Sequence, residues 1–253
     1  MRIIIILVSI AALALAATLA ALGPGMRFGL WDLSTAFGLM RQLTLPTLIA
    51  AGAAGVAFLL SLWKARGLAL LSVIALVAAG AAGYAPVKMR AMAKANPVIH
   101  DITTDFENPP EILAAAALPR KNPPDYVGAN MVGDTQTTVA DAQRQAFPDI
   151  APFMAPADLQ STATAARAVI ADMGMNILEE GPVGAEAGTG WRIEAVSTSL
   201  WFGFKDDFIV RLTPVSAGET RVDVRSKSRV GGSDLGANAA RVRAFMKELD
   251  AAI

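Results

Sequence analysis

Hydrophobic residues crowd the front of this chain, and behind them apolar and polar positions alternate. Residues 3–22, 45–63 and 68–84 contain no charged residue, and each run is close to or above the ~20 apolar residues that cross a bilayer's hydrocarbon core. The pattern predicts a membrane anchor over residues 1–95 with three transmembrane α-helices. The first run exceeds the apolar core of a signal peptide, so a retained helix is expected. Between the first two runs, residues 27–43 set Phe28, Leu30, Trp31, Leu33, Phe37, Leu39 and Met40 among few polar residues. That predicts a helix lying in the interface with Trp31 at headgroup depth. Ala12, Ala16 and Ala20, and again Ala75, Ala79 and Gly83, recur at four-residue spacing, as ridges that let helix backbones approach closely.

Nine prolines between residues 96 and 157 forbid long helices there and favour extended chain wrapping a neighbouring core. Short helical turns are expected at residues 111–117 and 139–146. Residues 158–253 form the predicted core. A helix over 159–173 closes at Gly174, and a strand follows over 175–180. Three further strands are read from the period-two runs Trp191-Ile193-Ala195, Phe208-Val210-Leu212 and Val222-Val224. A last helix buries Leu235, Ala239, Val242, Phe245, Met246 and Leu249, starting from a cap at Ser233 or Asp234. Gly188-Thr189-Gly190 reads as a turn leading into a strand. The order αββββα with short connections predicts a two-layer α+β domain, an antiparallel four-stranded meander with both helices on one face. Arg192, Glu194, Arg211, Arg221, Asp223 and Arg225 fall on the other face, which is either solvated or crossed by the proline-rich segment.

Basic and acidic residues balance at 22 each, so no global field draws the chain to nucleic acid. Cysteine is absent, which removes disulfides, thiol catalysis and thiolate metal sites. The uncharged spans argue against an ion or proton pathway. His100 is the only histidine and cannot assemble a zinc site with partners of its own kind. Asp101, Asp105 and Glu107 lack the glycine turn of a calcium loop. No metal and no cofactor are expected. The sharpest chemistry lies at residues 225–241, where a strand carries Arg225, Ser226, Lys227, Ser228 and Arg229 to the turn Gly231-Gly232. Ser233 and Asp234 then open a helix bearing Asn238 and Arg241. Free N–H groups at such a helix start favour an anion. With His100, Asp101 and Asp105 these residues are the ligand or anion-binding candidates. The competing reading has Asp234 satisfying the same donors while the arginines pair with acids. Trp201 and Phe202 at a hairpin tip, with Trp31, are candidates for contact with membrane or partner.

Several motifs carry a family resemblance. Ile99-His100-Asp101-Ile102-Thr103-Thr104-Asp105 with Asn108-Pro109-Pro110, Phe147-Pro148-Asp149-Ile150, and Trp201-Phe202-Gly203-Phe204-Lys205-Asp206-Asp207 all contribute. So do Val222-Asp223-Val224-Arg225-Ser226, Ser228-Arg229-Val230-Gly231 and Ser233-Asp234-Leu235-Gly236-Ala237-Asn238. Over residues 96–253 the chain resembles the bacterial and chloroplast family called domain of unknown function 1499. Gly232 stands where many relatives have an arginine. The resemblance implies a domain exported to the cell envelope, with the anchor in the bacterial inner membrane and the C-terminal domain in the periplasm. It brings no established activity.

The residues and the resemblance together point to a membrane-anchored, non-catalytic envelope protein. Its exported domain is expected to bind membrane lipid, as a lipid-like ligand, or a membrane-protein partner, and not nucleic acid. One alternative is a hydrolase-like envelope enzyme using His100 and the 225–241 region. Another is an accessory or assembly subunit of a membrane complex.

Overall fold

The computed structural model describes residues 1–183 and 189–253. It divides into two compact units, Met1–Met92 with Leu200–Gly203, and Ala93–Ser199 with Phe204–Ile253. Gly188 of the expected Gly188-Thr189-Gly190 turn lies outside the described residues.

The first unit is built from α1 (Arg2–Arg27), α2 (Leu33–Lys64), a 3₁₀ turn at Arg66–Leu68, and most of α3 (Ala69–Ala95). All three helices are long and apolar enough to cross a membrane. They outrun the apolar stretches that announced them. α1 continues through Pro24 and α3 through Pro86. A proline withholds the hydrogen bond that the carbonyl four residues earlier would receive. In α1 that carbonyl belongs to Ala20, and the Trp201 indole N–H donates to it at 3.0 Å. The interfacial helix expected over 27–43 does not exist as a separate element. Asp32 caps α2, accepting from the Thr35 N–H at 2.7 Å, and nothing after Leu33 breaks the helix before Lys64. A helix of 32 residues runs about 48 Å.

The seam of this unit is made of small residues. Ala12, Ala16, Ala51, Ala54, Ala75 and Ala79 are buried together, and Ser9 and Ser72 share a hydrogen bond of 3.2 Å inside it. Gly83 faces Leu48 closely, whereas Ala20 is exposed. Large side chains such as Ile3, Leu7, Ile49, Leu59, Leu70 and Val77 point outward. Small residues within and large apolar ones without is the arrangement of helices packed in lipid.

Among the described residues of the second unit, a six-stranded antiparallel sheet carries three helices. Its central strands are β3 (Asn176–Pro182), β4 (Trp191–Thr198), β5 (Lys205–Ser216) and β6 (Glu219–Ser228), paired in chain order. The meander was predicted with four strands, but β1 (Asp101–Thr103) and β2 (Phe153–Ala155) both add to the far side of β6. Three residues each, embedded among prolines, are too short to display an alternating pattern. Helix α4 (Val139–Ala146) forms where a short turn was expected, with Thr138 as its cap, whereas residues 111–117 form turns only.

Helices α5 (Leu159–Asp172) and α6 (Ala237–Ala252) cover one face of the sheet. There Phe208, Val210, Val224, Ile193 and Ala195 meet Ala166, Ile170, Val242 and Phe245 in the core. Phe208 and Phe245 pack edge to face, their centroids 5.2 Å apart. α6 starts later than the expected cap. Its cap residue is Gly236, held at φ 84 with Asn96 against its Cα, a conformation that favours glycine.

Candidate functional site

Directly paired residues in antiparallel strands share a face, and β6 sorts the candidates accordingly. Ser226 lies opposite Phe208, and Ser228 opposite Asp206, on the helix-covered face. Arg225 lies opposite Ile209 and Lys227 opposite Asp207, on the other. The residues read together from sequence therefore separate into two groups.

On the helix side, Ser226 donates to Asn238 Oδ1 at 2.7 Å, and the Asn238 amide donates to Ser228 Oγ and to the His100 carbonyl. Arg241 binds Ser226 Oγ at 2.9 Å and Asp206 at 2.8 Å. Asp234 accepts from the backbone N–H of Gly236 at 2.8 Å and of Asn238 at 3.0 Å, so its carboxylate occupies the helix start where an anion was considered. Ser233 only accepts from the Leu235 N–H at 3.3 Å. Burial pushes the Asp234 carboxyl above its usual range despite those two N–H donors.

His100 contributes its backbone to this group, and its ring stands apart, with Nδ1 3.4 Å from the Gly232 carbonyl and Nε2 buried without a partner. Burial, and then the neighbouring Lys227 charge, hold the imidazole below its ordinary value near 6.5. In the window between the folded value and 6.5 the unfolded chain binds the extra proton, so stability falls as pH drops through it. We expect denaturation midpoints to decline on acidification from pH 7 towards the folded value. His100→Gln should flatten that dependence, as measured by fluorescence-detected urea unfolding at stepped pH.

The opposite face is covered by the proline-rich segment, bound through its own backbone. Asp105 begins it: one carboxylate oxygen accepts from the N–H groups of Glu107 and Asn108, the other from Arg211 at 2.9 Å and Arg221 at 3.0 Å. Although burial pushes this carboxyl up, those N–H groups and arginines hold it below its ordinary range. Buried Glu194 accepts from the N–H groups of Leu113, Ala114 and Ala115 at 3.0, 3.0 and 2.7 Å, and Ile112 and Ala115 pack on Ile209. Asp207 holds Arg120 and Arg229, each at 2.7 Å.

At the centre, Asp101 takes Arg225 in a two-bond fork, both at 2.9 Å, and Lys227 at 3.0 Å. Arg225 also donates to the Pro110 and Pro124 carbonyls, and Lys227 to that of Asp125. All three charged side chains are at most 2% exposed. Two cations against one acid leave this buried centre with an excess positive charge. Burial lowers the Lys227 ammonium, with Asp101 opposing.

Above Arg225 lies a cavity of ≈ 340 Å³ lined by Asn108, Pro109, Glu111, Ile112, Leu113, Pro124, Asp125 and Tyr126. The Tyr126 ring stacks 5.4 Å from the Arg225 guanidinium. Its hydroxyl is buried without a hydrogen-bond partner, and burial and the nearby Asp101 push it up to about 12. No group of three or more metal-binding side chains occurs among the described residues.

The family model described as "Protein of unknown function (DUF1499)" matches residues 101–249, more than half of the chain. The chain belongs to that family. DUF1499 thus spans the sheet, its covering segment and most of α6, while the three apolar helices precede the match. No curated protein matches the chain. The matched stretch holds both the Asp101–Arg225–Lys227 centre and the Ser226–Ser228 group. Tyr126, Glu111, Asp125 and Glu194 escaped the sequence reading as site residues. The first three stand in proline-rich chain with no periodicity, and Glu194 was visible only as an acid on the face away from the helices.

The aromatic candidates sit in the helical unit. The Trp31 indole N–H donates to the Leu22 carbonyl at 2.8 Å. Phe202 is buried between Trp201 and Phe37, with ring centroids 4.6 and 5.4 Å away.

Proposed function

We propose that this DUF1499 protein is a non-catalytic binding module of the bacterial envelope. The three helices cross the inner membrane, and the C-terminal unit lies in the periplasm and takes a lipid-like ligand. The observation that carries the reading is the cavity beside Arg225, of mixed polar and apolar lining, over a charge network whose members already hold one another. The helices, uncharged along their apolar stretches and with large side chains outward, support membrane residence. Apolar core residues pack between the sheet and its helices, which supports reading the ligand site on the opposite face. A hydrolase would need a nucleophile and a base sharing one cleft. Ser226 and Ser228 are bonded to Asn238 and Arg241, with the His100 ring directed to Gly232, which favours binding over chemistry. Extraction of the full chain in mild detergent, followed by lipid analysis and crosslinking with mass spectrometry, tests this. A specific lipid retained at about one per chain is the expected result. Retention of a protein partner alone would move the reading to an accessory subunit, and retention of neither would count against both.

A further inference from the structure

Equal totals of acid and base hide a separation along the chain. Met1–Met92 holds seven of the 22 Lys and Arg residues but only one of the 22 acids, Asp32, leaving 15 basic and 21 acidic side chains for the rest. The basic residues of the helical unit are also sorted by height. Arg2 and Arg27 bound the uncharged stretch of α1, Arg41 and Lys64 that of α2, and Arg66 and Lys88 the run from the 3₁₀ turn into α3. At ~1.5 Å per residue these pairs stand ~33–38 Å apart. That is wider than the ~30 Å hydrocarbon core and narrower than the ~40–45 Å that includes the headgroups. Each uncharged stretch is therefore closed by cations at headgroup depth on both sides.

Two contacts set the level of the end where α1 and α3 finish. Ser9 and Ser72 share a hydrogen bond, and Arg27 and Arg90 each lie 18 residues beyond it, ~27 Å along their helices. Gly83 lies against Leu48, and Arg41 and Arg90 each lie seven residues from that contact towards the same end, ~10 Å away. Arg27, Arg41 and Arg90, one from each helix, thus form a ring at one level, with Lys88 ~3 Å below it. Arg41, Lys88 and Arg90 are exposed and make no hydrogen bond or ion pair among the described residues. Asp32, the one acid of the unit, caps α2.

Large apolar side chains are exposed at the same level. Arg27 donates to the Leu200 carbonyl at 2.9 Å, which brings here the tip Leu200–Gly203, itself part of the helical unit. The Leu200 side chain is 91% exposed, and Phe28 and Leu30, just after Arg27, are 80% and 70% exposed. Tyr84, one turn before Lys88, is exposed as well. At the opposite end Trp63 is exposed, with the Lys64 ammonium 4.2 Å from its ring centroid. Aromatic and basic residues together at the ends of uncharged helices mark the two membrane–water interfaces. Water suits the cations but not the apolar groups beside them, whereas the interface offers phosphates to one and acyl chains to the other. A zwitterionic headgroup brings its own ammonium to such a ring; an anionic one brings the negative charge that the helical unit lacks.

We propose that Arg41, Lys88 and Arg90, with Arg27 beside Leu200, bind anionic phospholipid headgroups of the phosphatidylglycerol type, while Leu200, Phe28 and Leu30 rest at the headgroup–acyl boundary. This goes beyond the cavity reading above, concerns the helical unit alone, and stands or falls separately from it.

Full-length protein in nanodiscs of equal phosphatidylglycerol and phosphatidylcholine, examined by native mass spectrometry, provides the test. Phosphatidylglycerol should be retained about 10-fold over phosphatidylcholine, and Arg41→Gln, Lys88→Gln and Arg90→Gln combined should lower that preference about fivefold or more, as expected for losing basic residues near a charged surface. The three positions are exposed, so the variant should keep the wild-type helix content by circular dichroism. Because cysteine is absent, Leu200→Cys gives a single position for an environment-sensitive fluorophore. Its emission should shift to the blue in the nanodiscs and be quenched by lipids spin-labelled near the headgroup. Equal retention of the two lipids, or an unchanged preference in the folded triple variant, overturns the proposal and leaves the ring as a determinant of insertion topology. Aqueous, unquenched emission from the label at position 200 also overturns it and frees that surface for a protein partner.

Discussion

Asp101→Ala should be the most damaging single substitution in the C-terminal unit. The side chain is fully buried and is the shared counter-ion of Arg225 and Lys227. It also accepts from the Val127 N–H. Removing it leaves two buried cations with carbonyl oxygens and the Tyr126 ring as their neighbours. Breaking a buried pair from one side costs about 3–5 kcal/mol, a large share of the 5–15 kcal/mol that stabilises an ordinary domain. The full chain in detergent should lose protection in hydrogen exchange along 101–103 and 222–228 together, because β1 and β6 are held across this residue. Removing Arg243 from its bond to Asp149 gives the contrasting case. Those side chains are 43% and 54% exposed, and Arg243→Ala should cost no more than ~1 kcal/mol. A loss for Asp101→Ala as small as that would mean the buried centre does not hold the sheet together.

Glu194→Ala should release the covering segment while leaving the sheet's helix side intact. One carboxylate receives three consecutive backbone N–H groups and the Arg192 guanidinium at 2.7 Å. Hydrogen bonds to a charged group contribute ~1.5–3 kcal/mol each. They act here as a unit, so a total of about 3–5 kcal/mol is expected rather than their sum. The segment over 108–127 lines the cavity, so its release should abolish ligand binding as well. Limited proteolysis should show new cleavage within 108–120. Glu194→Gln, which keeps acceptor oxygen but not charge, should fall between wild type and Ala. An unaltered cleavage pattern in Glu194→Ala would show that the prolines and the Asp207–Arg120 pair suffice to hold the segment.

The parts of this architecture that were legible in the sequence are those with a period. Alternation at Trp191-Ile193-Ala195 and Phe208-Val210-Leu212 gave strands with the correct inward face, because a helix layer packs apolar side chains against those positions. The three apolar runs likewise revealed their helices, although their ends were not legible. Nothing local tells that Pro24 will be tolerated once Trp201, far along the chain, takes the orphaned Ala20 carbonyl. The cluster at 225–241 looked like one site because it is contiguous, yet period two sends Arg225 and Arg229 through the sheet to the opposite side from Ser226 and Ser228. Applying that alternation to the site, as it was applied to the core, would have divided the candidates correctly. The cavity could not be found this way. Glu111, Asp125 and Tyr126 are brought together by carbonyl and N–H contacts of irregular chain, and backbone groups leave no mark in a sequence.

Membrane residence of the first three helices is the central claim. Full-length protein should remain with the membrane pellet after washes in high salt and in alkaline carbonate, and enter solution only with detergent, since large uncharged surfaces such as Ile3, Leu7, Leu59 and Val77 face outward and burying them in lipid recovers ~25 cal/mol per Å². Recovery of the intact chain in the supernatant after the carbonate wash would contradict it.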